Sequence, residues 1–408
     1  MTIGFATFGC RLNRAEALDL EARYAAMGWT TVQLSEASGG ALRHGALDVV
    51  VVRACSVTAK AQRDCEKKIA HLRARFPDAE VLLTGCHPDA AQIPERLAPD
   101  AIADGADLVN RRLSRAYLKA QDGCSGKCAF CIVPSFRGAP VSEPFGRVLA
   151  RARDCIKAGF REIVLTGCNL CLYRDGGRRL PDLVSALAEM DSPGHRIRLG
   201  SIEPGMCDME LLDAMDAHPN ICRFLHLSLQ SGSNRILRLM RRPYTIEQVA
   251  EFCLEALKRL GLRLAIGADV ITGFPGETDA DFAETENFLS GCASSAGGQL
   301  PGIPLLHVFP YSERAGTQAA SMSPAVPVEI RRARAKKLEA IGAANHEAFA
   351  RRLVGKEVTV CVERDGNGRT DEYIRCALKG TAARRTLVSA VVDDYFPKTG
   401  MLSATIRT

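Results

Sequence analysis

Gly123–Gly138 reads GCSGKCAFCIVPSFRG, and Cys124, Cys128 and Cys131 within it follow the spacing Cx3Cx2C. Three thiolates on one tight loop can hold three irons of a cubane and leave the fourth iron without a protein ligand. Zinc would normally take a fourth ligand from a second Cys or His pair, and no such partner lies nearby at finger spacing. After this loop, apolar strands alternate regularly with helices. Strands are predicted at Glu162–Thr166, Arg196–Ser201, Phe224–Leu229, Leu262–Ile271 and Leu305–Phe309. Helices are predicted between them at Pro181–Met190, Asn234–Met240, Ile246–Leu260 and Ala280–Leu289. With one more strand just before Cys124, six β/α units form an open partial barrel rather than a closed eight-unit one. Functional loops then belong at the strand carboxyl ends.

Upstream of the loop, Ile3–Phe8, Asp48–Arg53 and Glu80–Thr84 read as strands, and Ala15–Met27 and Ala61–Arg75 as helices. That alternation predicts a small open parallel α/β sheet. The valine run Val49–Val52 suits a strand buried on both faces. Each strand leads to a cysteine: Phe8-Gly9-Cys10, Arg53-Ala54-Cys55 and Thr84-Gly85-Cys86. In open α/β sheets the strand carboxyl ends share one edge, and ligands bind there. Three thiols brought to that edge point to a metal site rather than to packing. A loop-rich passage, Gln92–Arg112, leads on toward the Cys124 loop.

Downstream, Val328–Arg352 reads as one long basic helix. Glu357–Glu363, Tyr373–Leu378 and Leu387–Val392 then alternate as short strands, which suits a small antiparallel five-strand β-barrel. The expected division is 1–112, 113–352 and 353–408.

Composition narrows the class. Of 408 residues, 47% are hydrophobic and 25% charged, which excludes wholesale disorder. No run of about 18 apolar residues exists to cross a membrane. The uncharged stretch Gly291–Ser312 is broken by Gly, Pro, Ser and His. The first ten residues carry no basic region ahead of an apolar core, so a cytoplasmic location is expected. In that reducing compartment the 16 cysteines point to metal ligands or catalytic thiols rather than disulfides. Cys65, Cys155, Cys222, Cys253 and Cys292 sit alone in helix- or strand-like patterns and are expected as buried thiols, as are Cys361 and Cys376. Net charge is +6, yet Arg331–Arg385 alone holds 14 Lys or Arg against seven Asp or Glu. That end is either a polyanion-binding surface or a merely solvated basic helix.

The cysteine loop resembles that of the radical S-adenosylmethionine (SAM) enzymes, which often have an aromatic before the last cysteine, here Phe130. Further motifs narrow the resemblance to the methylthiotransferases: FGCRLNRAE at Phe8–Glu16, ACSVT at Ala54–Thr58, TGC at Thr84–Cys86 and RLGSIEP at Arg198–Pro204. HLSLQSGS at His226–Ser233, MRRPYT at Met240–Thr245, GADVITGFPGET at Gly267–Thr278 and HVFPYSERAGT at His307–Thr317 continue it in order. The C-terminal barrel resembles the TRAM module that presents RNA to such enzymes.

The resemblance implies two [4Fe–4S] clusters, one on Cys124, Cys128 and Cys131, the other on Cys10, Cys55 and Cys86. It implies SAM as cofactor and a 5′-deoxyadenosyl radical as the product of its reductive cleavage. It places Gly167, Glu203 and Gln230 near SAM. FGCRLN, MRRPYT and FPYSERAGT look most like the branch acting on N6-threonylcarbamoyladenosine beside the anticodon of tRNA. The partners implied are a tRNA anticodon stem-loop, an electron donor such as flavodoxin or ferredoxin, and a sulfur source. Alternatives are N6-isopentenyladenosine in tRNA, a ribosomal protein aspartate, and a non-catalytic iron–sulfur RNA-binding protein.

The sequence departs from the family's pattern in places. Arg53-Ala54 stands where Asn-Thr is common, and the spacer from Cys86 to Cys124 is short. Cys168 and Cys171 form an unexpected CxxC, either a redox or accessory ligand pair or two packed thiols. His87 either shapes the second cluster or is solvated in its turn.

Overall fold

The computed structural model describes residues 1–34, 47–91, 93–94, 97, 113–190, 194–207, 209–292, 298–363 and 366–407. Most of the passage expected as loop-rich, Gln92–Arg112, lies outside the described residues, and with it about half of the shortened spacer.

β1 (Thr2–Thr7), α1 (Arg11–Ala26), β2 (Thr30–Gln33), β3 (Val49–Cys55), α2 (Ala59–Arg75) and β4 (Glu80–Cys86) open the chain. Among the described residues their sheet has the order β2-β1-β3-β4, with every pairing parallel. The sequence predicted three of these strands and missed β2. That edge strand reads TTVQ and is nowhere buried, so it carries no apolar run to betray it. β3 is buried along its whole length, as its valines require.

β5 (Ala116–Lys119) and β6 (Gln121–Asp122) precede the cysteine loop, and α3 (Val133–Arg137) and β7 (Val141–Ser142) follow it. β6 pairs with β7, which clamps both ends of the loop. Next come α4 (Phe145–Lys157), β8 (Glu162–Thr166), the hairpin β9 (Arg174–Asp175) and β10 (Arg178–Arg179), and α5 (Leu180–Ala188). β11 (Arg196–Leu199) and β12 (Ser201–Ile202) were expected as one strand. They are separated at Gly200, where a side chain would meet the Leu165 carbonyl at 2.9 Å.

α6 (Met209–Ala217), β13 (Phe224–Gln230), α7 (Asn234–Leu239), α8 (Ile246–Leu260), β14 (Ala265–Thr272), α9 (Asp279–Ser290) and β15 (Leu305–Pro310) complete the partial barrel. β14 starts three residues later than expected because Gly261–Leu264 closes a turn, with the Leu264 amide donating to the Gly261 carbonyl at 3.0 Å. The orders β11-β8-β5 and β12-β13-β14-β15 run through the Gly200 break as six parallel positions, with β5 and β15 as open edges. Leu225, Leu227 and Leu229 of β13, with Ile266, Ala268 and Val270 of β14, pack into the apolar core. The alternate residues therefore line the opposite face, a chamber.

α10 (Val328–Arg351) leads to β16 (Glu357–Val362), β17 (Asn367–Thr370), β18 (Arg375–Lys379), β19 (Leu387–Phe396) and β20 (Met401–Ile406). These close into a barrel in the order β16-β17-β18-β20-β19. The expected antiparallel pairing is corrected at one seam, β18 with β20, which is parallel. An odd ring cannot alternate direction all the way round, so one parallel seam is unavoidable.

Two buried arginines fasten this small barrel to the larger one. Arg196 reaches Asp371 at 2.5 Å and the Thr359 carbonyl at 3.0 Å. Arg198 donates to the carbonyls of Asp371 and Thr370 at 2.8 and 2.9 Å. Both also hold Glu162, which is wholly buried. Burial alone would raise the Glu162 carboxyl, but Arg196, Arg198 and Arg115 hold it well below the usual carboxylate range.

The basic tail is less of a surface than its arithmetic suggested. Arg331 and Arg334 are buried, paired with Glu313 and with Glu277 and Asp279. Lys337 meets Glu286, and Lys379 meets Asp393. Arg332, Lys336, Lys356 and Arg375 remain exposed. Among the described residues, no helix is long and apolar enough to cross a membrane.

Candidate functional site

The Cys124 loop is held by its backbone. Gly123 has φ +65°, and a side chain there would fall 2.0 Å from the Ala139 carbonyl oxygen. Cys124 N donates to Gly138 O at 3.1 Å. Gly126 donates its amide to Cys124 Sγ at 3.2 Å, and a Cβ on Gly126 would lie 3.2 and 3.6 Å from the sulfurs of Cys124 and Cys128. Cys128 Sγ accepts from Arg242 Nη1 at 3.0 Å. Burial, then the charges of Cys128 and Cys124, push the Cys131 thiol up to about 11. A thiol so placed gives up its proton readily only to a metal that replaces it.

The second trio lies at the ends of β3 and β4 and just after β1. Cys55 and Cys86 are register partners at the ends of β3 and β4. Gly9, at φ +88°, brings the chain so close that a Cβ there would lie 2.8 Å from Cys55 Sγ. Burial, then Cys10 and Cys86, push Cys55 up to about 11. Beside these sulfurs, Ser56 Oγ and His87 Nε2 are buried without a hydrogen-bond partner. His87 is therefore not solvated in its turn: it is 5% exposed, and its Nδ1 accepts from the Asp89 amide at 3.1 Å. Orphaned donors next to clustered thiols suit a group rich in sulfide acceptors.

Arg137 joins the two trios. It ends α3, six residues after Cys131, and its Nε donates to Cys86 Sγ at 2.9 Å. Its two Nη atoms reach Asp122 at 2.9 Å, Glu16 at 3.1 and 3.0 Å and Asn13 Oδ1 at 2.7 Å. Asn13 Nδ2 in turn donates to the carbonyls of Phe8 and Ala54 at 2.9 and 2.7 Å, stitching the ends of β1 and β3. Arg53, in the place where the family commonly has Asn, pairs with Glu16. A cavity of roughly 200 Å³ is lined by Val57 and Thr58, which follow Cys55 in the chain, and by Phe130, Cys131, Ile271 and Tyr311. A larger one, roughly 430 Å³, lies among Asn234, Arg235, Glu247 and Asn287 and touches none of these six cysteines.

Gly167, Glu203 and Gln230 all lie at or just beyond strand ends, with different surroundings. Gly167 rests against Gln121, whose atoms a Cβ would meet at 3.0 Å. Glu203 is buried, bonded by Asn169 Nδ2 at 2.7 Å and paired with Arg242 at 3.1 Å. Gln230 takes φ 71° where the β13–β14 register shifts. A left-handed glutamine at a strand end marks a strained position of the kind found at ligand sites.

The CxxC does not pair. Cys168 Sγ donates to Asp122 Oδ1 at 3.4 Å, while Cys171, buried, lies 3.2 Å from the sulfur of Cys207. Cys65, Cys155, Cys222, Cys253, Cys361 and Cys376 are buried as expected, and Cys292 is half-buried. Sequence reasoning missed Arg137, Arg242 and Gln121. MRRPYT had flagged the neighbourhood of Arg242, but nothing short of the fold connects residue 242 to residue 128.

Residues 118–289 match the model of the radical SAM superfamily, and 2–103 match an uncharacterized family, UPF0004. A threonylcarbamoyladenosine tRNA methylthiotransferase of Aquifex aeolicus is 30% identical, covering 96% of this chain and 100% of that one. The chain belongs to the radical SAM methylthiotransferases. The Bacillus subtilis protein of the same description is also 30% identical, over 93% of this chain and 91% of its own. A tRNA-2-methylthio-N(6)-dimethylallyladenosine synthase of Cereibacter sphaeroides matches at 30%, over 88% and 87%. Methylthiotransferases of this superfamily use a [4Fe–4S] cluster and SAM. The Cys124 loop, with its glycine cradle and Arg242 donor, fits such a cluster.

Proposed function

We propose that this methylthiotransferase places a methylthio group on C2 of N6-threonylcarbamoyladenosine at position 37 of tRNA, in the cytoplasm. The observation that supports it is the Arg137 bridge, which ties the end of the Cys124–Cys128–Cys131 loop to the Cys86 sulfur of the other trio, as suits a reaction needing both radical and sulfur. We assign a [4Fe–4S] cluster to each trio and the boundaries 1–112, 113–352 and 353–408. When bound, the two clusters supply the electron that cleaves SAM and the sulfur that is inserted.

The chain's own residues do the positioning. Arg242 orients Glu203 and the Cys128 sulfur together, and Gly167, Glu203 and Gln230 are the SAM contacts. Arg137, with Asn13 and Glu16 behind it, holds the Cys86 sulfur in place. The fixed small barrel holds the RNA, and a flavodoxin- or ferredoxin-like donor and a sulfur source complete the cycle.

Charge supports the threonylcarbamoyl substrate over the isopentenyl one, since only the former carries a carboxylate. Arg11 and Arg369 lie 5.0 and 4.3 Å from the Tyr373 ring centre, where Arg115 and Arg198 are already paired with Glu162. Arg14 faces Tyr117. Burial would raise the Tyr373 phenol, yet Arg11, Arg369 and Arg115 bring it down to about 8. Surroundings that favour a phenolate at Tyr373 favour a carboxylate there.

The test is mass spectrometry of tRNA nucleosides from a strain lacking the gene. Loss of the 2-methylthio derivative of threonylcarbamoyladenosine, restored by the intact gene and not by Cys55→Ala, is the expected result. Loss of the isopentenyl derivative instead would overturn the branch and keep the reaction.

A further inference from the structure

Three consecutive strands of the partial barrel each direct one polar side chain to the same place. His226 lies on β13, Asp269 on β14 and His307 on β15. Asp269 and His307 are register partners, and His226 is paired with Gly267, one step back along β14 on the same face. His226 Nε2 comes within 2.9 Å of Asp269 Oδ1, and His307 Nδ1 within 3.2 Å of the same oxygen. All three atoms lie within 4.8 Å of one another.

The surroundings make room for this convergence. A Cβ at position 267 would lie 2.5 Å from His226 Nδ1, so only glycine lets the imidazole lie across β14. His226 is buried and Asp269 mostly so, while His307 has 55% of its side chain exposed. The group is thus walled on one side and open on the other. Its open side faces the chamber: Ile271 and Phe309, two residues further along β14 and β15, line the cavity beside Cys131. Two residues of strand are about 6.6 Å, which puts the group one layer deeper than that cavity.

Two imidazole nitrogens and one carboxylate oxygen form a set that late first-row divalent ions accept, with further positions left open. A hydrogen-bonded Asp–His pair would need only His226; the half-exposed His307 could turn to water, yet aims its nitrogen at the same oxygen. Strand-borne ligands also hold their geometry better than loop-borne ones. We propose that His226 Nε2, the Asp269 carboxylate and His307 Nδ1 bind a divalent transition-metal ion, distinct from the iron of the clusters, with its open positions facing the chamber. Each histidine binds it as the neutral ring, with its one proton on the other nitrogen, Nδ1 of His226 and Nε2 of His307.

The experiment uses the cluster-loaded full chain, assembled anaerobically, freed of loose ions and titrated with Co²⁺. Visible ligand-field bands that saturate at one equivalent, lack sulfur-to-cobalt charge transfer and vanish on adding Zn²⁺ are expected. His307→Ala, at a half-exposed position, and Asp269→Asn, of unchanged shape, should each weaken Co²⁺ binding by at least about tenfold. Both should keep the wild-type cluster absorption and circular dichroism. Absence of saturable bands in the wild type would overturn the proposal. So would charge-transfer bands showing cobalt on cysteine, or wild-type affinity in both variants.

Discussion

Arg137 Nε donates to Cys86 Sγ across 2.9 Å, so a residue of the first cysteine loop touches a thiol of the second trio. Burial would lower the Arg137 guanidinium, but Cys86 and Asp122 hold it well above its ordinary range. It remains a cation beside that sulfur at any accessible pH.

Arg137→Gln removes this charge while leaving a donor. Methylthiolation should fall about 10–100-fold, with 5′-deoxyadenosine production from SAM kept near wild type. The electron paramagnetic resonance signal of the second cluster should shift. An unchanged spectrum with unchanged product would show that Arg137 is only a structural tie.

The two trios should separate by substitution. Cys124→Ala is expected to abolish both 5′-deoxyadenosine and methylthiolated product. Cys55→Ala should keep SAM cleavage and lose the product. Assaying both products in one anaerobic reaction tests the division, which fails if Cys124→Ala still cleaves SAM.

Arg11 and Arg14 should choose the substrate. Arg11→Gln with Arg14→Gln removes two chamber cations without touching a thiol. A charge-assisted contact is worth about 1.5–3 kcal/mol, so KM for threonylcarbamoyl-bearing RNA should rise roughly tenfold or more. Cluster content should stay constant. An unaltered KM would place the carboxylate elsewhere.

Glu162 sits wholly buried between Arg196 and Arg198. Glu162→Gln should cost about 3–5 kcal/mol, because it strands two buried cations, read as a fall in Tm. Since the folded carboxyl lies below its unfolded value of about 4.3, its contribution is complete above that pH. It is lost as pH falls further. The gap between wild type and variant should therefore narrow on acidification, and a gap that widened would contradict the assignment.

Tyr373 should titrate near 8, detected as a tyrosinate absorbance change that Tyr373→Phe abolishes. Its unfolded value is about 10. The depressed value adds stability that is complete above pH 10 and is lost as pH falls through about 8. Thermal melts of the wild type and Tyr373→Phe at pH 7 and pH 9 should diverge at the higher pH.

Much of this was legible in the sequence because strand ends and cysteines coincide. Val49–Val52 announces a strand buried on both faces, and Cys55 at its end can only lie on the ligand edge. The Cx3Cx2C loop is local and needs no fold to be read. What escaped is non-local or polar. β2 carries no apolar pattern, and Arg242 reaches Cys128 across 114 positions of chain. Cys171 finds Cys207 rather than Cys168, because Asn169 caps the short turn Leu170–Leu172 and that turn is buried. Charge arithmetic also misled at Arg331 and Arg334, since a count of cations cannot see which are spent on buried partners.

The clamp formed by Arg196 and Arg198 fixes the small barrel against the larger one. Its strands cannot swing away without stranding Glu162 and four acceptors on Thr359, Thr370 and Asp371. The span from its outer face to the cysteine trios is thus a fixed length. A strand of RNA gripped at one end of that span, as proposed, would present a single position along its length to the other, and the molecule would then work as a ruler before it worked as a catalyst.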